Sequence, residues 1–124
     1  MDATFYDQVG GQPFFERLVD VFYQGVEKNE LLRAMYPEDL DQSKHHLVLF
    51  LVQYWGGPTD YMHERGHPRL RMRHAPFRIT EGARDAWLEA MRAALESVRS
   101  DLTDGQLVEM DSYFVMAANQ MRNV

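Results

Sequence analysis

The run MHERGHPRLRMRHAPFRIT, residues 62–80, concentrates most of the unusual choices in this 124-residue chain. It holds three of the five histidines and sets Arg65, Arg69, Arg71, Arg73 and Arg78 against a single acid, Glu64, in a chain whose formal net charge is -6. A basic island on an acidic background points to an anionic partner. Pro68 and Pro76 bracket a segment too short for more than about two helical turns, so the spacing predicts a short, sharply stopped helix with His74 at its end. Such a helix aims one imidazole.

On the N-terminal side of this run, Thr4 is placed to cap a short helix over 5–9 that Gly10 and Gly11 end. A long helix starts at Pro13, and Phe14, Phe15, Leu18, Val19, Phe22, Tyr23 and Val26 carry the spacing of a buried stripe. A short helical turn around Leu31, Leu32 and Met35 breaks at Tyr36-Pro37, and Asp39 or Asp41 is placed to cap the next helix. That helix runs to about Tyr54 with an expected inward stripe of Leu40, Ser43 or Lys44, Leu47, Phe50, Leu51 and Tyr54, and Trp55-Gly56-Gly57-Pro58 stops it. On the C-terminal side, Thr80 caps a helix with Ala83, Ala86, Trp87, Ala90, Met91, Ala94, Leu95 and Val98 inward. Thr103 and Gln106 have capping-box spacing ahead of a last helix carrying Leu107, Met110, Phe114, Ala117, Ala118 and Met121. No segment alternates with period two, so the expected class is all-α, four long helices with short connecting pieces, in one domain over residues 1–124.

Composition narrows the function classes. There are no cysteines, which removes thiolate ligation and thiol nucleophiles, so any metal binds through His or carboxylate. No apolar run approaches membrane-spanning length, and MDATFYDQVGG lacks the basic lead and apolar core of a signal peptide; the expectation is a cytoplasmic protein without a membrane span. Its acidity argues against nucleic acid as a partner, because phosphate contact needs a basic face broader than one island. A small anion fits the island better.

Four constellations carry chemistry. His63-Glu64-Arg65-Gly66-His67 matches the H-E-x-x-H pattern of zinc hydrolases, which requires one continuous helix. Gly66 and Pro68 work against that helix, so this remains a remote alternative. His74 reads either as a hydrogen-bonded surface histidine or as the single axial ligand of a planar metal cofactor. Leu70, Met72, Phe77 and Ile79 could cover such a macrocycle while Arg69, Arg71, Arg73 or Arg78 pair with carboxylates on its rim. Haem has that amphipathic shape, and one imidazole leaves the sixth position of its iron open to a diatomic gas. Tyr23, Tyr36 and Trp87, on three separate segments, are either core aromatics with backbone partners or donors converging on a ligand at that open position. His45 and His46 lie off the centre of their helix's inward stripe, which favours solvent or rim contact over a second axial ligand.

These residues resemble the truncated haemoglobins, and within them the second, O-type group. The resemblance covers essentially the whole chain. Its most specific parts are Phe5-Tyr6-Asp7 leading into Gly10-Gly11, Phe22-Tyr23, Met35-Tyr36-Pro37-Glu38-Asp39, Gln53-Tyr54-Trp55-Gly56-Gly57-Pro58 and the run from Arg65 through Ile79, with Arg84-Asp85-Ala86-Trp87-Leu88 and Met116-Ala117-Ala118 added. It implies a shortened globin fold, two helices packed over two, with haem b between them. It further implies that His74 is the iron ligand, Tyr23 and Tyr36 are distal-pocket tyrosines, and Trp87 is the tryptophan that marks the group. Leu47, Phe50 and Leu51 fall on pocket positions of the distal helix. Ser43 falls on the gate position, where many relatives carry alanine, and the His45-His46 pair is not a family pattern.

Three function classes follow. The first is reversible binding of oxygen, and of other diatomics or peroxide, at a five-coordinate haem iron under a Tyr/Tyr/Trp pocket. The second is redox turnover of nitric oxide or peroxide on the same haem, fed by a reductase that the sequence does not name. The third is a haem-free helical regulator whose arginines bind a phosphorylated partner. Pairing of two copies as a homodimer stays open.

Overall fold

The structure is a computed structural model describing residues 3–124. Its helices are α1 Phe5–Gln8, α2 Gln12–Lys28, α3 Glu30–Arg33, α4 Asp41–Tyr54, α5 Asp60–Arg65, α6 Leu70–His74, α7 Glu81–Ser97 and α8 Asp104–Met121, with a 3-10 turn at Arg99–Asp101. No strand occurs among the described residues. Four helices are long, as the periodicity predicts. α2 packs on α4 and α7, and α7 packs on α8, which makes two layers of two.

Local chemistry sets the boundaries. The Thr4 hydroxyl accepts from the Asp7 N–H while the Asp7 carboxylate accepts from the Thr4 N–H, a capping box that starts α1. Thr103 and Gln106 repeat the device for α8, and Thr80 accepts from the Ala83 N–H to start α7. α4 starts differently from the expected side-chain cap. Its N-cap is Leu40, and Asp39 instead turns back to accept from the N–H of Asp41 at 2.9 Å.

The buried residues of α2 are the seven in its sequence stripe, with Phe14, Phe15 and Phe22 at zero exposure. Full burial contributes about 1.5–3 kcal/mol per large apolar side chain, which outweighs the roughly 1 kcal/mol that a mid-helix glycine such as Gly25 costs. Gly25 also has a packing use: a Cβ there would lie 3.0 Å from that of Ala90, so α2 and α7 cross at this pair.

α4 departs from its expected stripe. Val48, Leu49, Leu51 and Val52 are its buried residues, Leu47 and Phe50 are half-buried, and Tyr54 is 50% exposed. Six consecutive apolar residues, 47–52, erase the period that would have oriented the helix. At its end Trp55 takes the buried position, with Phe5, Phe15, Tyr113 and Phe114 around its ring. Tyr54 stacks outside on Tyr113, 4.1 Å between centroids.

The turn after α4 is close-packed. The Tyr6 N–H donates to the Trp55 carbonyl at 2.9 Å, and a Cβ on Gly57 would lie 2.7 Å from both the Tyr6 ring and a Val52 methyl. Gly57→Ala is therefore expected to cost about 1–3 kcal/mol, because the ring and the methyl must both give way. Gly105→Ala, where nothing lies closer than 3.9 Å, should be neutral or stabilising by up to about 1 kcal/mol. Urea unfolding of both variants checks the contrast, and equal effects would show that the turn is loosely packed.

Candidate functional site

Three of the aromatic residues singled out in the sequence come together. Tyr23 on α2 is buried, and its ring meets that of Tyr36, on the turn after α3, edge-on at 5.5 Å. Phe22 lies between Tyr23 and Trp87 of α7, with centroids at 5.0 and 5.4 Å. Ser43, in the first turns of α4, is the fourth member of the cluster.

These groups act on one another's protonation. Burial pushes the Tyr23 phenol well above its ordinary range, the neighbouring Tyr36 raises it further, and the Ser43 side chain pulls the other way. Burial likewise pushes the Tyr36 phenol up to about 12, with Trp87 and Tyr23 as the polar neighbours opposing the shift. Both phenols therefore keep their protons through neutral pH and remain donors. Three elements of the rigid core thus present two O–H groups and one indole N–H in the same region.

The imidazole of His74 is prepared on a separate segment. It ends the five-residue helix α6, is half-buried, and its Nδ1 lies 2.6 Å from the Leu70 carbonyl. A carbonyl only accepts, so Nδ1 carries the hydrogen, and in the neutral ring the lone pair is then on Nε2, the tautomer in which imidazole binds a metal. Around it Met72 and Phe77 are 63% and 45% exposed, Leu70 is half-buried and Ile79 is buried.

The arginine island is largely unneutralised. Among the described residues, acidic side chains pair with Arg17, Arg84, Arg92, Arg99 and Arg122, but with none of Arg65, Arg69, Arg71, Arg73 or Arg78. Arg73 has a task that the sequence did not reveal. Its Nε donates to the Pro68 carbonyl at 2.7 Å and its Nη2 to the Arg65 carbonyl at 2.9 Å, which ties α6 to the preceding turn. Arg69 enters α6 with φ 46, the one positive φ outside glycine among the described residues. The imidazole, the apolar side chains and the unpaired cations fit the iron, the faces and the carboxylates of a haem.

The remaining histidines do not form a second centre. α5 ends at Arg65 and Gly66 turns away with φ 75, so His63 and His67 do not share a helical face and the H-E-x-x-H geometry is not formed. Glu64 is engaged elsewhere, 2.9 Å from Nε2 of His45, a half-exposed pair joining α5 to α4. His46 is held below its ordinary value, first by burial and then by Arg65, His45 and Arg73. No three His or acidic side chains gather to hold a bare ion among the described residues. Of the other sequence-predicted pocket residues, Ser43, Leu47 and Phe50 are half-buried on α4, whereas Leu51 is 1% exposed and belongs to the main core.

Comparison with known proteins places the chain among the globins. Residues 4–120 match the family described as bacterial-like globin. The group 2 truncated hemoglobin YjbI of Bacillus subtilis is 44% identical over 88 residues, covering 71% of this chain and 67% of that protein. The crystal structure of hemoglobin from Chloroflexus aurantiacus superposes with a TM-score of 0.95 at 49% identity, covering 99% of this chain and 100% of that one. The truncated oxygen-avid haemoglobin from Bacillus subtilis superposes at 0.88 with 37% identity, covering 98% and 100%. With helices layered two over two and sequence identity to a group 2 truncated hemoglobin and to group II truncated hemoglobin structures, the protein belongs to the bacterial-like globins and, among them, to the group II truncated haemoglobins.

Proposed function

We propose that residues 1–124 form one cytoplasmic domain that binds haem b through Nε2 of His74 and retains oxygen, or another small diatomic ligand or peroxide, under donors from Tyr23, Tyr36 and Trp87. The observation that carries this reading is the meeting of two high-pKa tyrosines and a tryptophan from α2, the post-α3 turn and α7. When bound, haem supplies an iron with one position open to ligands. The chain's own residues decide the rest. His74 would hold the haem through Nε2, with its tautomer set by the Leu70 carbonyl. Leu47, Phe50, Leu70, Met72, Phe77 and Ile79 give apolar contact with Leu51 backing them from the core, and Ser43 lies at the entrance with a hydroxyl that influences Tyr23. Arg69, Arg71 and Arg78 offer charge to the carboxylates, with Arg73 bracing the segment.

Several donors on one small ligand favour slow release, and slow release favours redox turnover over delivery. The second reading is therefore detoxification of nitric oxide or peroxide at the same pocket, with electrons from a partner reductase. The relative described as oxygen-avid supports retention.

His74→Ala is expected to lose stable haem binding, seen as loss of the Soret band after gel filtration, and added imidazole should restore part of it. An unchanged spectrum would remove His74 as ligand.

Each donor lost should speed ligand release by about tenfold or more, since a hydrogen bond of about 1.5 kcal/mol corresponds to that factor. Stopped-flow oxygen dissociation is expected to be slow in the wild type and faster in Trp87→Phe and Tyr23→Phe. The double variant should show less than the product of the two effects, because the donors share one ligand. Fast wild-type release unaffected by either change would make these aromatics core packing only.

The pH dependence follows from the raised phenols. Their protonated forms stabilise the folded chain fully below the unfolded value near 10, and that contribution is lost as pH rises through the folded value, about 12 for Tyr36. Oxygen release is expected to be flat from about pH 6 to about pH 9, where neither phenol titrates. A release rate that rises several-fold across this window would show that a donor ionises there.

A further inference from the structure

We propose that Asn123, two residues beyond the end of α8, is a positioning residue for the imidazole of His74; the proposal rests on the reading of His74 as the haem ligand. Asn123 makes three hydrogen bonds to the segment that leaves α6. Its backbone N–H donates to the Ile79 carbonyl at 3.0 Å, its Oδ1 accepts from the Ile79 N–H at 2.8 Å, and its Nδ2 donates to the Phe77 carbonyl at 2.8 Å. Phe77 in turn donates its N–H to the carbonyl of His74 at 3.0 Å. The amide thus grips the chain three residues from the imidazole, and only one backbone bond separates that grip from His74 itself.

This grip matters because α6 has little else. No residue from 62 to 78 is buried by the rest of the chain; Tyr61 and Ile79 are the buried residues on either side. A five-residue helix does not hold itself in water, since nucleation is costly and few bonds repay it. The helix also begins at Arg69 in the left-handed region, without a side-chain cap. Its N-terminal side is tied by the two Arg73 bonds to Pro68 and Arg65. The side carrying His74 has the Asn123 clamp.

Residues beyond the last turn of a helix usually fray, but these are braced. The Arg122 N–H donates to the Ala118 carbonyl at 3.3 Å, the Arg122 guanidinium lies 3.8 Å from Glu81, and Arg84 of α7 donates to Asn119 at 3.0 Å. α6 also packs on α8. Through Asn123, an 18-residue helix seated on the core sets the position of a five-residue one.

The test uses the full-length haem-loaded protein and four variants: Asn123→Ala, which removes both side-chain bonds; Asn123→Asp, which keeps the acceptor and loses the donor; Asn119→Ala, which alters the last turn of α8 without touching residues 77–79; and His74→Ala. Three quantities are read: the iron–histidine stretching band in the resonance Raman spectrum of the unligated ferrous protein, the rate of haem transfer to excess apomyoglobin, and hydrogen exchange at the Ile79 amide. Asn123→Ala should shift or broaden the band, speed haem transfer about tenfold and speed Ile79 exchange. Asn123→Asp should fall between it and the wild type, and Asn119→Ala should leave the band in place. A merely structural role would speed exchange at Ile79 while leaving band and transfer rate as in the wild type, and that result overturns the proposal. A band that survives His74→Ala removes the ligand reading beneath it, and the proposal with it.

Discussion

The hydrogen bond from Nδ1 of His74 to the Leu70 carbonyl, 2.6 Å long, is the contact on which the proposed chemistry depends. Imidazole offers a metal its lone pair from whichever nitrogen lacks the proton, and a free side chain divides itself between two tautomers and many ring orientations. The carbonyl one turn earlier removes that freedom by accepting from Nδ1 alone. The same bond lies within α6, so the ring turns only if the helix turns. Placing the ligand therefore becomes a matter of placing five residues, and the chain does so with hydrogen bonds to backbone, from Arg73 on one side and Asn123 on the other, where it has no core residue to use.

The aromatic cluster is held by the opposite means. Tyr23 and Trp87 stand on α2 and α7, two helices that approach closely at Gly25 and Ala90. Tyr36 opens a turn that Arg33 secures, its guanidinium donating to the carbonyls of Pro37 and Glu38 at 2.9 and 2.6 Å. Burial that fixes these rings also raises the phenol pKa values, so one cause yields both rigid placement and retained protons. On the proposed reading, donors fixed by the core face ligand exchange without reorganising, while the side that holds the cofactor is the less stable part of the fold. Few buried contacts and many exposed backbone bonds mark such a region as one that opens locally.

How far the sequence alone could be read depended on whether a role needs a particular side chain. The α2 stripe was legible to the residue, because a helix with one apolar face and polar residues elsewhere has a single solution. α4 was not, since Leu47 through Val52 are apolar all round, and Tyr54 was expected inward where Trp55 is found. His74 at the end of a proline-bounded helix could be read from Pro68 and Pro76, and the failure of H-E-x-x-H from Gly66. That Tyr23, Tyr36 and Trp87 meet could not, because convergence across three segments is tertiary information. Arg73 and Asn123 left no signal either. Both act on backbone carbonyls or amides, which every residue carries, so no partner residue type in the sequence announces the bond.

The arginine island poses a question of magnitude. Five cations within fourteen residues repel one another, yet among the described residues none has an acidic partner, in a chain with nineteen acids to thirteen lysines and arginines. An exposed ion pair contributes at most about 1 kcal/mol and weakens with salt, so on the proposed reading the arginines do not supply most of the affinity for haem. Covering what remains exposed of apolar side chains such as Met72 and Phe77 contributes about 1–2 kcal/mol each, and the iron–imidazole bond adds to that. The charges have a different consequence. Apolar faces accept a flat macrocycle in more than one orientation, whereas carboxylates on one edge are drawn to the edge where the cations stand. On that reading, apolar contact and His74 govern how tightly the group is held, and the island governs which way round it enters.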